Sequence, residues 1–495
     1  MNRRTAIKRT GALALALGAI EMAVPLAFVP ERALARTRPS DIQYDIDAFL
    51  STPPQASDTG VLFRMPPVHT VFLTATLGRT PTKDDQDDLN RVLGKLERHL
   101  PWGAAHLVTF LAYGVPYFSR LPGGLHGRLV SRHMPRLLSD NSRYALEEAV
   151  PGPTDVGVPS PFGARIRFTV PVQIESNDML FTLRSDNPQI LSDVLAWLAG
   201  SNRLGDRDID SPDWDGLISF TSSRYQFVQM GLPKAIAMKD ALPFRNFMQH
   251  DSPMWMGFAD QHTNASGPPP ITTFVGNSSA RFTTAAEGDY FDNGSIQHLS
   301  HVIIDMLQWF DMDSPTTPPR PNGDGGFIQR VQYMFHSPKI SVGNADQYTD
   351  GGGPSFLPAE NRGPDYALHT IQGIGTDFNP DLGHTERRMG HLSTLQRSSR
   401  AADGTPIHIR VDGPGYDNMD VPDGSNQPKN QFSIFVPTAD FFATMRTNMA
   451  SLDYLQQFGA NGAQDGLERQ ITATRRQNFL VPPRRNRAFP LTERT

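Results

Sequence analysis

The sequence predicts an α+β fold built from two duplicated ferredoxin-like lobes, of the dimeric α+β barrel type. Three observations carry this. Strand-like and helix-periodic segments alternate as β-α-β…β-α-β through the first half, the order of a split βαβ unit. The same order of segments returns in the second half. The chain has 495 residues, 38% hydrophobic and 20% charged, which is enough apolar material for two cores and too much for a disordered chain.

In the first half, HTVFLTATL (69–77) is rich in β-branched and aromatic residues and reads as a strand. Residues 83–100 follow as a helix, because Leu89, Val92, Leu93, Leu96 and Leu100 recur on one stripe. A second strand is expected over 106–114 and a third over 178–185. NPQILSDVLAWLAG (187–200) is a helix capped by Asn187 with Pro188 in its first turn. Residues 216–229 close this half as a strand. In the second half, 294–304 reads as a strand and 305–310 as a helix start. Residues 379–399 are expected to be helical, 405–411 and 431–438 to be strands, and 439–452 to be a helix with Phe441, Phe442, Met445 and Met449 on one face.

These elements set the boundaries. Residues 67–230 form the first lobe, and 231–460 the second, interrupted by a Gly/Pro/Asp-rich insertion at 311–380. Residues 36–66 are a polar lead, and 461–495 a basic, Pro-containing tail expected to wrap the surface. The first 35 residues read as a targeting segment. Arg3 and Arg4 are adjacent, Lys8 extends the basic region, an apolar run follows, and Ala33-Leu34-Ala35 fits a small-x-small cleavage site. The pattern resembles a twin-arginine export signal and implies a periplasmic or extracellular protein. Glu21 and Pro25 interrupt the apolar run, so no stable membrane span is expected in the mature form.

Composition excludes several chemistries. There is no Cys, so disulfides, thiolate zinc sites, iron–sulfur clusters and thiolate haem ligation are ruled out. Fifty-one acids against 46 bases, a net charge of −5, give no electrostatic reason to expect nucleic acid. His298 and His301 are spaced as a metal pair would be on a helix, but on a strand residues three apart point to opposite faces. There is no phosphate-binding glycine loop and no nucleophile elbow. The stretch MWMGFADQHTNASG (254–267) sets one carboxylate, Asp260, among turn-forming residues.

The order of segments resembles the dye-decolourising peroxidases, haem proteins built from two ferredoxin-like lobes. The resemblance covers roughly residues 65–455. LVTFLAYGVPYFSRL (107–121) and ESNDMLFTLRSDNPQILSDVLAWL (175–198) are similar to segments of the family's first lobe. RNFMQHDSPMWMGFADQHTN (245–264) is similar to the segment that carries its Gly-x-x-Asp-Gly motif and a nearby Asn. DNGSIQHLSHVIIDMLQW (292–309), GHLSTLQRSSR (390–400), IHIRVDGPGYD (407–417) and FSIFVPTADFFATMR (432–446) follow in the family's order. Two motifs depart from it. Gln261 stands where the family has Gly, and Gly390-His391-Leu392-Ser393 stands for Ala-His-Ile-Arg.

The resemblance implies haem b, with hydrogen peroxide and an organic electron donor as substrates. It places His391 as the axial iron ligand, with His384 the alternative, and Asp305 or Asp440 as acceptors for the ligand's second N–H. It makes Asp260 the carboxylate that moves a proton on the distal side and Arg410 the cation that stabilises the departing oxygen. Asn264 would hold the distal loop and Phe435 would wall the pocket. Surface aromatic residues such as Trp309 and Tyr416 would relay electrons. The alternative is a relative of the same fold that binds haem or another ligand, or serves structurally, with a degenerate site marked by Gln261.

Overall fold

The structure, a computed structural model, describes residues 39–45, 65–158, 168–310, 407–450 and 470–495, with short gaps at 249, 251, 257–266, 268 and 278–280, and a few isolated residues besides. Residues 1–35, Asp260, Gln261, Asn264, His384, His391 and the 311–380 insertion lie outside the described residues.

The first lobe runs β1 (His69–Leu77), α1 (Lys83–His99), β2 (Val108–Gly114), β3 (Met179–Ser185), α2 (Pro188–Leu198) and β4 (Ile218–Phe227). α1 starts at a capping box, in which Thr82 and Asp85 satisfy each other's backbone N–H. α2 starts at Asn187, whose side chain accepts from the Gln189 amide. Both helices bury their apolar stripe, including Leu89, Leu93, Leu191 and Trp197, against one face of the sheet.

The second lobe repeats the plan. It has β5 (Ser295–Ile304), a broken strand β6 (Ile409–Arg410) and β7 (Gly413–Asp417), then β8 (Gln427–Val436), α3 (Ala439–Ala450) and β9 (Ile471–Val481). The strand order is β6-β8-β5-β9-β2-β3-β1-β4, with β7 beside β8. Each lobe therefore uses its own strands in the order second, third, first, fourth, and all but one of the pairings along the sheet are antiparallel. That duplicated order is the ferredoxin-like duplication the sequence predicts.

The lobes meet at two joints related by the same symmetry. At one, β9 pairs with β2 through Phe479–Gly114 and Leu480–Tyr113. At the other, β7 presses on β4. A Cβ on Gly413 would lie 2.7 Å from Val228 Cγ2, and one on Gly415 would lie 2.9 Å from the Tyr225 carbonyl oxygen. The absence of side chains lets two backbones approach there. Gln226 Nε2 donates to the Val411 oxygen at 3.1 Å, and Trp255 Nε1 to the Gly415 oxygen at 2.8 Å. The sheet thus curls into a barrel-like unit. Its inner face carries Phe72, Phe110, Leu180, Leu299, Phe435 and Phe479, while helices cover the outer face.

Two regions differ from the sequence reading. The tail does not wrap the surface. Residues 471–481 are the fourth strand of the second lobe, paired on both sides, and Phe489 and Leu491 are buried against the first lobe. The strand reads as surface because it carries Arg475, Arg476, Gln477 and Asn478, all of which find buried polar partners. The polar lead is also partly interior. Gln43 donates to the Leu111 and Pro482 oxygens and accepts from the Leu111 amide, bridging the joint like a fragment of strand. Tyr44 stacks on Phe435 at 4.4 Å.

Two measurements check this architecture. Gly413→Ala is expected to lose about 1–3 kcal/mol in urea unfolding, as overpacking of a tight contact does. A chain ending before Ile471 is expected to show no cooperative thermal transition, because two sheet edges would be left open.

Candidate functional site around Arg410 on the second lobe

The alternation of side chains decides which residues can share a site. Ile409 is registered with Phe435 and Arg410 with Ile434. Directly opposed residues share a face and neighbours along a strand do not. Phe435 therefore points into the barrel, packed with Tyr44 and, edge-on at 6.0 Å, with Phe110. Arg410 leaves the strand on the helix side and is half-buried. The two do not wall one pocket. Phe435 belongs to the barrel core, because the odd-numbered residues of this strand end face inward. Ile407, three residues before Arg410 in the chain, packs with Ile271, Phe282 and Phe441. Sequence reasoning passed over them because Ile271 and Phe282 lie in irregular chain with no periodicity.

The segment that carries Asp260 and Asn264 is fixed at both ends beside this strand. Before it, Trp255 donates to Gly415 of β7, and Trp309 Nε1 donates to the Met256 oxygen at 3.0 Å. After it, the Gly267 amide donates to the His408 oxygen at 2.8 Å, two residues from Arg410. Asp260 lies seven residues from the Gly267 anchor.

Other candidates are placed differently from the sequence expectation. Trp309 and Tyr416 are 1% and 6% exposed, so neither is a surface residue. The Trp309 ring serves as an anchor, and Tyr416 packs on Trp255 at 5.7 Å. Asp305 caps the short helix Met306–Trp309 by accepting from the Gln308 amide at 3.2 Å. Asp440 accepts from Thr438 Oγ1 at 2.6 Å, just before α3.

His298 and His301 do face opposite ways. His298 lies on the helix side, stacked on Phe442 at a centroid distance of 3.4 Å. Asn478 donates its N–H to the Glu147 oxygen, so its Oδ1 is the acceptor for His298 Nδ1 at 2.7 Å. His298 Nε2 then accepts from Ser300 Oγ at 2.6 Å, and Ser300 in turn accepts from Arg476. These are the distances of a serine–histidine–amide relay. Yet His298 and Ser300 are 0% and 1% exposed, and the Arg476 guanidinium beside Ser300 is bound to Asp155. The relay has no approach for a substrate and serves as buried structure. Burial first, and the positive charge of Arg476 next, hold His298 well below the usual histidine range, so it is neutral.

His301 faces the barrel interior. Its Nδ1 lies 2.9 Å from Thr474 Oγ1, and its ring sits 3.4 Å from Asp417 and 3.5 Å from Asp420. Lys429 and Arg475 compete for those carboxylates. Burial alone would raise Asp420, but hydrogen bonds from Arg475 and His301 hold it far below the usual carboxylate range. Among the described residues no group of His and carboxylate side chains is arranged to hold a metal ion. No helix among them is long and apolar enough to cross a membrane.

Comparison with known proteins adds the following. A family model described as a family of unknown function (DUF7405) matches residues 146–318. No curated protein matches the sequence. The fold is similar to several solved structures at low identity. A dye-decolourising-type peroxidase from Cellulomonas bogoriensis shares 12% identity, with a TM-score of 0.45, over 89% of this chain and 95% of its own. A protein described as a putative peroxidase of this type from Shewanella oneidensis shares 12%, with a TM-score of 0.43, over 86% and 94%. A DypB variant from Rhodococcus jostii RHA1, described in complex with heme, shares 13%, with a TM-score of 0.43, over 86% and 96%.

Buried neutral histidines make stability depend on pH. Burial lowers His69, which shares a hydrogen bond with the Tyr225 hydroxyl at 2.5 Å, to about 3. In the unfolded chain a histidine titrates near 6.5. The unfolded state therefore takes up the proton first as pH falls. The stabilisation is whole above pH ~6.5 and is lost progressively towards the folded-state values, at up to about 1.4 kcal/mol per pH unit per histidine. Urea midpoints measured from pH 7.5 to 5 are expected to fall, and His69→Phe is expected to flatten that slope.

Proposed function

We propose that this chain is an exported haem peroxidase that uses hydrogen peroxide to oxidise an organic donor by single-electron steps. One observation supports it most. The described residues on either side of the Asp260 segment, Trp255 and Gly267, are bonded to the Gly415 and His408 oxygens, five residues after and two before Arg410. The ordered series of family-like segments in the sequence supports the same reading.

A planar apolar macrocycle requires apolar walls, and the cluster of Ile271 and Ile407 with Phe282 and Phe441 is the apolar surface at the start of the strand that carries Arg410. His298 and His301 are both committed to internal partners, which favours an iron ligand from outside the barrel. His391 is the proposed ligand and His384 the alternative. When bound, haem b would supply the iron centre at which the peroxide O–O bond is broken and electrons are drawn from the donor.

The protein's share is proton movement and charge stabilisation. Asp260, ionised, would take the proton from one peroxide oxygen and return it to the other. Arg410 would favour that ionised form and stabilise the negative charge that grows on the departing oxygen. A guanidinium suits this because it stays charged and offers a planar fork of donors. Asn264 would brace the Asp260 segment. Gln261, which replaces a Gly in the family pattern, would bring an amide side chain next to Asp260 in the chain. The proposed route to this chemistry is export through the Arg3-Arg4 signal, with the folded protein delivered to the periplasm or beyond.

The test is an absorption spectrum of the haem-reconstituted protein before and after one equivalent of peroxide. A Soret band that shifts with peroxide is expected, and His391→Ala is expected to lose stable haem binding. Arg410→Leu should keep the band and slow peroxide turnover by roughly 10²–10³. Asp260→Asn should slow it by roughly 10²–10⁴. A wild-type protein without a Soret band would sink the peroxidase reading in favour of a structural relative. A band unmoved by peroxide would leave a haem-binding protein.

A further inference from the structure

The charged end of the barrel interior is built as a closed ring. Arg224 of β4 is bound to Glu175, and Glu175 also meets Arg475 at 3.3 Å. Arg475 holds Asp420 through two bonds of 2.7 Å, Asp420 reaches His301, and His301 reaches Asp417. Asp417 accepts from Gln431 Nε2 at 3.2 Å and lies 3.5 Å from Lys429. Gln431 is registered with Gly413, and the Gln226 side chain lies against that glycine from β4. Gln226 is two residues from Arg224 on the same face, which completes the circuit.

Every strand residue of the ring except Arg475 and Asp417 is buried, and several polar atoms in it have no partner among the described residues. Arg224 is 1% exposed, yet its Nε and Nη1 are unpaired. Gln226 and Gln431 are 0% exposed, and each uses its amide nitrogen while its Oε1 is unpaired. A buried polar group without a partner costs about 1–3 kcal/mol, and more when charged. Here open donors and open acceptors occur together: Arg224 and Gln226 lie on one face of β4, and the Gln226 side chain lies against Gly413, with which Gln431 is registered. The charges do not ask for an ion. Arg224, Arg475 and Lys429 stand against Glu175, Asp417 and Asp420, three of each sign.

We propose that this ring is an internal binding site for a small uncharged molecule that both donates and accepts hydrogen bonds, from ordered water up to a guest of a few heavy atoms. The guest would accept from the Arg224 guanidinium and donate to the Gln226 and Gln431 oxygens. The proposal rests on the barrel and its register, not on haem.

The test is a crystal structure of the full chain at a resolution that shows ordered water, with native mass spectrometry of the same preparation. Density within hydrogen-bond distance of Arg224 and of at least one of the two glutamine oxygens is expected. An unchanged mass identifies the guest as water, and an added mass identifies a larger neutral molecule; both sustain the site. A chloride or carboxylate on Arg224 would overturn the assignment of an uncharged guest. A guanidinium and amides bonded only to protein atoms would overturn the site itself. The Gln431→Leu structure is the second arm. Loss or displacement of the density is expected, and unchanged density would mean that the ring does not hold it.

Discussion

Two consecutive arginines govern this structure. Arg475 and Arg476 leave β9 in opposite directions, and neither direction leads to bulk water. Arg475 enters the barrel and binds Asp420 and Glu175. Arg476 enters the helix layer and binds Asp155 through two bonds of 2.8 Å. Burial works against the charge on Arg476, and Asp155 opposes it. Breaking a buried pair of this kind leaves an uncompensated charge and costs about 3–5 kcal/mol. The strand's register is therefore set with little freedom. A slip of one residue would send each guanidinium to the other's partners, and Asp155 and Asp420 lie on different sides of the sheet.

That register propagates. β9 pairs with β5 along its whole length and hands the sheet over to β2 at Phe479 and Leu480. With β9 placed, the two lobes are joined at one edge and the curl of the sheet brings β7 onto β4. The glycines of β7 make that second contact possible, and Trp255 secures it from outside. The anchor of the Asp260 segment and the ring in the barrel are built at this same joint. The Trp255 contact from outside and the charged side chains inside are thus two sides of one closure.

Much of the fold was legible in the sequence because most elements obey their local rules. α1 and α2 carry caps and a one-sided apolar stripe, and β1 is rich in β-branched and aromatic residues. β9 was not legible. Its polar residues are buried on both faces, so neither the alternation of a half-exposed strand nor an apolar run is present. The strand expected over 405–411 covers β6 but not β7, because Asp412-Gly413-Pro414 gives no hint that pairing with β8 continues past the break. Arg410 was placed on its strand, and of the two readings of Phe435, pocket wall or core, the core one holds. Side is a matter of register, and register depends on β8 and β5 rather than on any short motif. The hydrogen bonds of Trp255, Trp309 and Gly267 are likewise long-range, and residue type alone does not announce an anchor.

The position of β9 has a consequence for how the chain comes into being. The last strand to leave the ribosome lies in the middle of the sheet, between β5 and β2. Until it arrives, both neighbours present bare edges, and neither lobe has its complete complement of strands at the join. The edge of β2, which ends at Gly114, therefore waits for a partner strand that begins only at Ile471. Such a chain holds an aggregation-prone intermediate for most of its translation time. The polar residues that disguise β9 as surface also keep that late strand soluble while it waits to be threaded in.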